Sequence, residues 1–129
     1  MAAGYVTNIE EKTLANKNFR KVLFTAPNSQ LVVMSLKPGE EIGAETHHLD
    51  QFIRIEAGEA EVILNGKKHK VADDFAIVIP AGTRHNVINT SKKKDLKLYT
   101  VYSPPEHKPG TIHKTKAAAD KAEAEEHGR

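Results

Sequence analysis

The chain has 129 residues, of which 39% are hydrophobic, 28% charged and 5% aromatic, and its formal net charge is +2. That length suits one domain with a modest, mainly aliphatic core, and apart from Lys92-Lys93-Lys94 the charges are interleaved, which gives no long-range attraction for nucleic acid. Cysteine is absent, which excludes disulfides, thiolate metal sites and cysteine nucleophiles.

The first eight residues, Met-Ala-Ala-Gly-Tyr-Val-Thr-Asn, lack the basic and apolar regions of a signal peptide. No apolar run approaches the ~18 residues of a membrane span. A cytoplasmic chain with no membrane partner is expected. Residues 1–18 read as a lead-in segment with helical character from Ile9 to Leu14. Residues 19–102 are a succession of short Val- and Ile-rich runs: Arg20 to Thr25, Gln30 to Leu36, Gln51 to Glu56, Glu59 to Leu64, His69 to Val71, Phe75 to Ile79, Thr83 to Asn89 and Leu96 to Tyr102. Turn residues separate them, and such spacing predicts an all-β sandwich or barrel rather than βαβ units. Asn65-Gly66 is the clearest hairpin signal, because a type I′ turn needs positive φ at both central residues. Residues 103–129 begin with Ser103-Pro104-Pro105, which halts the last strand, and end in an Ala-, Lys- and Glu-rich stretch. From Thr115 to His127 that stretch predicts an exposed helix with almost no apolar face to bury.

Two segments concentrate the chemistry. The first runs from Gly39 to Gly58 and contains Glu45, His47, His48 and Gln51; the second runs from Asp74 to Asn89 and contains Pro80, Gly82 and His85. Side chains two apart on an extended chain share a face. Glu45 therefore goes with His47, Gln51 with Ile53 and Ile55, and His85 with Thr83, Val87 and Asn89. If both strands turn those faces into a small barrel, Glu45, His47, Gln51 and His85 converge. Each residue taken alone is equally compatible with a surface polar group.

These segments resemble the paired motifs of the cupin superfamily, G-x5-H-x-H-x3-4-E-x6-G and G-x5-P-x-G-x2-H-x3-N. Gly39, His47 and Gly58 match the first, and Pro80, Gly82, His85 and Asn89 match the second. Glu45 stands where the family has its first histidine, Gln51 where it has glutamate, and Asp74 where the second motif opens with glycine. The resemblance implies a double-stranded β-helix, or jelly-roll, barrel over 19–102. It also implies a divalent metal (Zn, Mn, Fe or Ni) on Glu45, His47, Gln51 and His85, a set in which the carboxylate has moved from the fourth position to the first. His48 is an alternative ligand if the register differs by one. The 103–113 segment, with Glu106, His107 and His113, is similar to that of small bacterial cupins related to mannose-6-phosphate isomerase-like proteins. It reads either as a lid over the barrel mouth or as a surface loop.

Three functions fit this reading. A metal-dependent enzyme would act on a small sugar-like molecule by isomerase or lyase chemistry, with Tyr99, Tyr102, Glu106 and His107 as candidate proton shuttles. An Fe(II)-dependent dioxygenase would use the same donors, and a non-catalytic module would bind a small molecule only. The resemblance also implies a homodimer formed through outer strands, with Val22, Phe24, Val32 and Met34 or their neighbours as the apolar patch.

Overall fold

The computed structural model describes residues 3–127. The chain runs α1 (Ile9–Ala15), β1 (Arg20–Thr25), β2 (Gln30–Leu36), β3 (Asp50–Ala57), β4 (Glu59–Leu64), β5 (Lys67–Ala72), β6 (Ala76–Ile79), β7 (His85–Asn89), β8 (Leu96–Ser103), β9 (Ile112–His113) and α2 (Lys116–His127). The strands fall where β-branched residues alternate between turns. The Asn65-Gly66 hairpin joins β4 to β5 with φ of 49° and 84° at its two central residues, as a type I′ turn requires. Gly58, between β3 and β4, has φ 101°, and a Cβ there would lie 2.9 Å from the carbonyl oxygen of Asp95, so only glycine fits.

The strands form two antiparallel sheets, one in the order β6-β3-β8-β2-β1-β9 and one in the order β5-β4-β7. This is an all-β jelly-roll barrel with a short C-terminal helix. Between the sheets lies an aliphatic core of Val32, Met34, Leu36, Ile53, Ile55, Val62, Val87, Leu96 and Leu98, each at most 1% exposed. Among the described residues no helix is long and apolar enough to cross a membrane.

The strand faces correct one expectation. Val22, Val32 and Met34 belong to the buried core and so supply no outer patch. Phe24 does point outward, because the register slips between Val22 and Phe24: Val22 pairs with Val32, whereas Phe24 pairs with Leu31. A β-bulge of this kind moves every later residue of its strand to the other face.

The C-terminal helix is not wholly exposed. The hydroxyl of Thr115 accepts a hydrogen bond from the Ala118 N–H at 3.0 Å, capping the helix start. Ala119 is buried, and the Lys116 ammonium lies 5.9 Å from the centre of the Phe19 ring. Small side chains let the helix sit close to the barrel where large apolar ones would hold it off.

Candidate metal centre

Residues 39–45 run alongside β7 as an irregular extension of the smaller sheet. The Ile42 N–H donates to Val87, the Asn89 N–H to Glu40, and Glu45 and His85 exchange two backbone hydrogen bonds of 2.9 Å. Asn86 locks this pairing: its side-chain oxygen accepts from the Gly43 N–H and its amide donates to the Glu41 carboxylate. Glu45 is thereby set directly opposite His85, four strands away in sequence but paired in space. His47 follows two residues after Glu45, and its carbonyl accepts from the Gly82 N–H at 2.8 Å.

Glu45, His47 and His85 each bring one donor atom into a group whose members all lie within 4.8 Å of one another. The Nε2 of His47 is 3.6 Å from a Glu45 carboxylate oxygen, and the two imidazole centres are 5.3 Å apart. The Nδ1 of His85 lies 2.8 Å from the Thr83 carbonyl, which can only accept, so Nδ1 carries the proton and Nε2 keeps its lone pair for a metal. Gln51 is 4% exposed; its amide nitrogen donates to Thr100 at 3.1 Å, while its Oε1 is buried with no partner. A buried acceptor left unmade is costly, and an oxygen-accepting cation removes that cost. The donor set of two imidazoles, one carboxylate and one amide oxygen therefore fits a divalent transition metal.

The electrostatics suit a cation. Burial pushes the Glu45 carboxyl up, but its contacts with His47, with Arg20 and His85 behind them, outweigh that and hold it below the ordinary carboxylate value. The Glu45 carboxylate in turn holds His47 above the ordinary imidazole value against the effect of burial, with Glu106 and Glu123 contributing.

The 103–113 segment folds over this cluster, and Gln30 ties it down. The Oε1 of Gln30 accepts from the N–H groups of Glu106 and His107, and its Nε2 donates to the His107 carbonyl and to the Thr25 hydroxyl. A Glu106 carboxylate oxygen consequently stands 3.6 Å from Nδ1 of His47. The Tyr102 ring lies 6.2 Å from that of His47 and 5.3 Å from that of His107. Burial raises Glu106, partly offset by His47, and raises the Tyr102 phenol. Burial, reinforced by Arg20, pushes His107 down to about 3, so it is neutral.

Tyr99 is not brought to the site. It sits on the opposite face of β8 from Tyr102, 6.2 Å from the outward-facing Phe52 ring, because residues an odd number apart on a strand face opposite ways. His48 is exposed and outside the cluster, which settles the one-residue register in favour of His47. Asp74, in place of a glycine, adopts φ 72°, and its carboxylate accepts from Arg54 at 2.9 Å. Three residues near the site went unnoticed in the sequence. Gln30 opens a strand whose inward face follows from alternation, whereas Arg20 on the bulged β1 and Glu123 on α2 carried no such signal.

Comparison with known proteins gives a coherent picture. A cupin-domain family model matches residues 32–102. A protein of Acanthamoeba polyphaga mimivirus is 52% identical over 84% of this chain and 70% of its own length. The YrkC protein of Bacillus subtilis is 48% identical over 92% of this chain and 67% of its own. A crystal structure from Bacillus halodurans superposes with a TM-score of 0.88 at 47% identity, covering 91% of this chain and 93% of that one.

Proposed function

The chain belongs to the cupin family, and from that premise we propose that it is a metal-dependent enzyme acting on a small oxygenated molecule such as a sugar or sugar acid, by isomerase or lyase-type chemistry. One observation carries this reading: three donors of the right types converge, with Gln51 keeping a buried side-chain oxygen that has no partner among the described residues. Glu45, His47 and His85 would hold the ion, with Gln51 as a neutral fourth donor. A divalent ion supplies Lewis acidity that polarises a carbonyl or enediolate oxygen.

The protein's own residues supply the rest. Glu106, on the 103–113 segment, stands beside His47 and is the group placed to move a proton to or from substrate. Tyr102 keeps its hydroxyl proton and offers a neutral donor at the same wall. The Gln30 anchor holds Glu106 in place. The likeness of the 103–113 segment to mannose-6-phosphate isomerase-like cupins supports a sugar-type substrate.

The test is metal content. Protein purified without a metal-chelating tag should carry near-stoichiometric divalent metal, and the His47→Ala, His85→Ala double variant should carry almost none. On the loaded enzyme, a panel of aldoses, ketoses and sugar acids followed by NMR should reveal turnover, which Glu106→Gln lowers by about 10²–10⁴-fold while metal content stays unchanged. Protein that takes up no metal after reconstitution with Mn, Fe, Ni and Zn would refute the reading.

A further inference from the structure

Beside the metal cluster, between β1, the 103–113 segment and α2, lies a cavity of about 370 Å³ whose lining includes Arg20, Glu106, His107, Lys108, His113 and Glu123. Glu106 belongs to both places, since it lines this cavity and contacts His47. We propose that the cavity is the anion-holding half of the site, in which Arg20 binds the carboxylate of a small carboxylic acid whose oxygenated end reaches Glu45, His47 and His85. This rests on the cluster being the reactive end of the same pocket.

The case starts from Arg20. It is 4% exposed, it occupies an inward position on β1, and it carries a cationic guanidinium. A buried charge is ordinarily paired. Yet no carboxylate among the described residues lies within ion-pair distance of Arg20. One terminal nitrogen is 3.1 Å from Nδ1 of His113. Arginine has no acceptor, so it donates there and His113 Nδ1 accepts. The Nε–H is buried with no hydrogen-bond partner among the described residues. That donor is one prong of the planar fork that matches a carboxylate.

His107 repeats the pattern from the other wall. Its Nε2 is also buried and also without a partner. A neutral imidazole carries one N–H, and with the proton on Nε2 it supplies another donor to an anion held by Arg20. Both residues line the cavity, and each keeps a buried side-chain nitrogen unmatched by any acceptor among the described residues, so a ligand that reaches them would bring the acceptor. Charge then selects its kind. Arg20 and Lys108 share the lining with Glu106 and Glu123, so a singly charged carboxylate is repelled less there than a phosphate dianion.

The experiment observes Arg20 directly. In ¹⁵N-labelled protein, the Arg20 Nε–H resonance is identified by its loss in Arg20→Lys. Titration with sodium gluconate and sodium oxalate should move it saturably, and glucose should not. In Arg20→Gln, gluconate binding followed on neighbouring amides should weaken by about tenfold or more. His107→Phe, which keeps the Arg20 side chain and its packing, should weaken it severalfold and guards against an Arg20 variant that fails to fold. No saturable shift with either carboxylate, an equal or stronger response to inorganic phosphate, or affinity unchanged in both variants would overturn the proposal. The titration is run on chelator-stripped and metal-loaded samples. A shift in stripped protein that takes up no metal keeps the anion subsite and sinks the metal reading. Stoichiometric metal with a silent Arg20 does the reverse.

Discussion

The inward faces of β2, β8 and β3 form one continuous surface whose two ends differ in chemistry. At one end Met34, Leu98 and Ile55 lie side by side in register; at the other the same strands align Gln30, Tyr102 and Gln51. The two rows are almost equally buried, from 0% for the first three to between 1% and 4% for the second. Burial alone therefore does not distinguish core from site. What differs is the accounting of polar atoms. In the apolar row nothing requires a partner, while in the polar row the Gln30 amide is hydrogen-bonded through both its atoms and Gln51 Oε1 is buried with no partner among the described residues. The lesson is that period-2 alternation decides which residues face inward, and position along the strand decides whether they hold the fold together or carry chemistry.

The sharpest way to break this comparison is to truncate one member of the apolar row. Leu98→Ala removes a fully buried side chain at the middle of three paired strands and should cost about 2–5 kcal/mol. Urea denaturation measures the loss. A cost under about 1 kcal/mol would mean that the core relaxes around the cavity and that the apolar end is not the stabilising one. The polar row should respond differently. Gln30→Ala deletes the anchor of the 103–113 segment, leaving the Glu106 and His107 amides without their acceptor. It should cost about 1–3 kcal/mol, less than Leu98→Ala, and its signature is local. Hydrogen exchange at the Glu106 and His107 amides should accelerate far more than at β2 or β8. Uniform acceleration across the barrel would show that Gln30 supports the whole fold rather than the lid.

Much of this contrast was legible in the sequence, and the rest was hidden for definite reasons. The strand boundaries followed from Val and Ile runs between turn signals, and Glu45, His47 and His85 followed from spacing and family resemblance together. The side on which β1 places its residues was not legible, because a bulge between Val22 and Phe24 has no composition signal of its own. Tyr99 and Tyr102 looked interchangeable as aromatic hydroxyls until parity separated them. The role of α2 was obscured because it packs through Ala119 rather than through a large apolar stripe, so propensity indicated a helix and gave no face for it. Arg20 was visible as a charge at the head of an apolar strand, but its significance depends on which partners it lacks, and that is a property of three dimensions.

The last test is whether the lid shares the polar character of the row beneath it. His107 is neutral in the folded protein, pushed down to about 3 by burial and by Arg20, against an ordinary imidazole value of 6.5. Between those two values the unfolded chain binds a proton that the folded chain refuses. Stability should therefore be complete above pH 6.5 and fall as the pH drops toward 3, by at most about 1.4 kcal/mol per pH unit from this residue. Other ionisable groups also change stability as the pH falls, so the informative quantity is the difference between wild type and His107→Gln, measured by urea denaturation at stepped pH. The variant should be the more acid-resistant of the two, and the gap should close above pH 6.5. Parallel curves would mean that His107 accepts a proton in the folded state at little cost, that water reaches it, and that the lid is open where the row below it is closed.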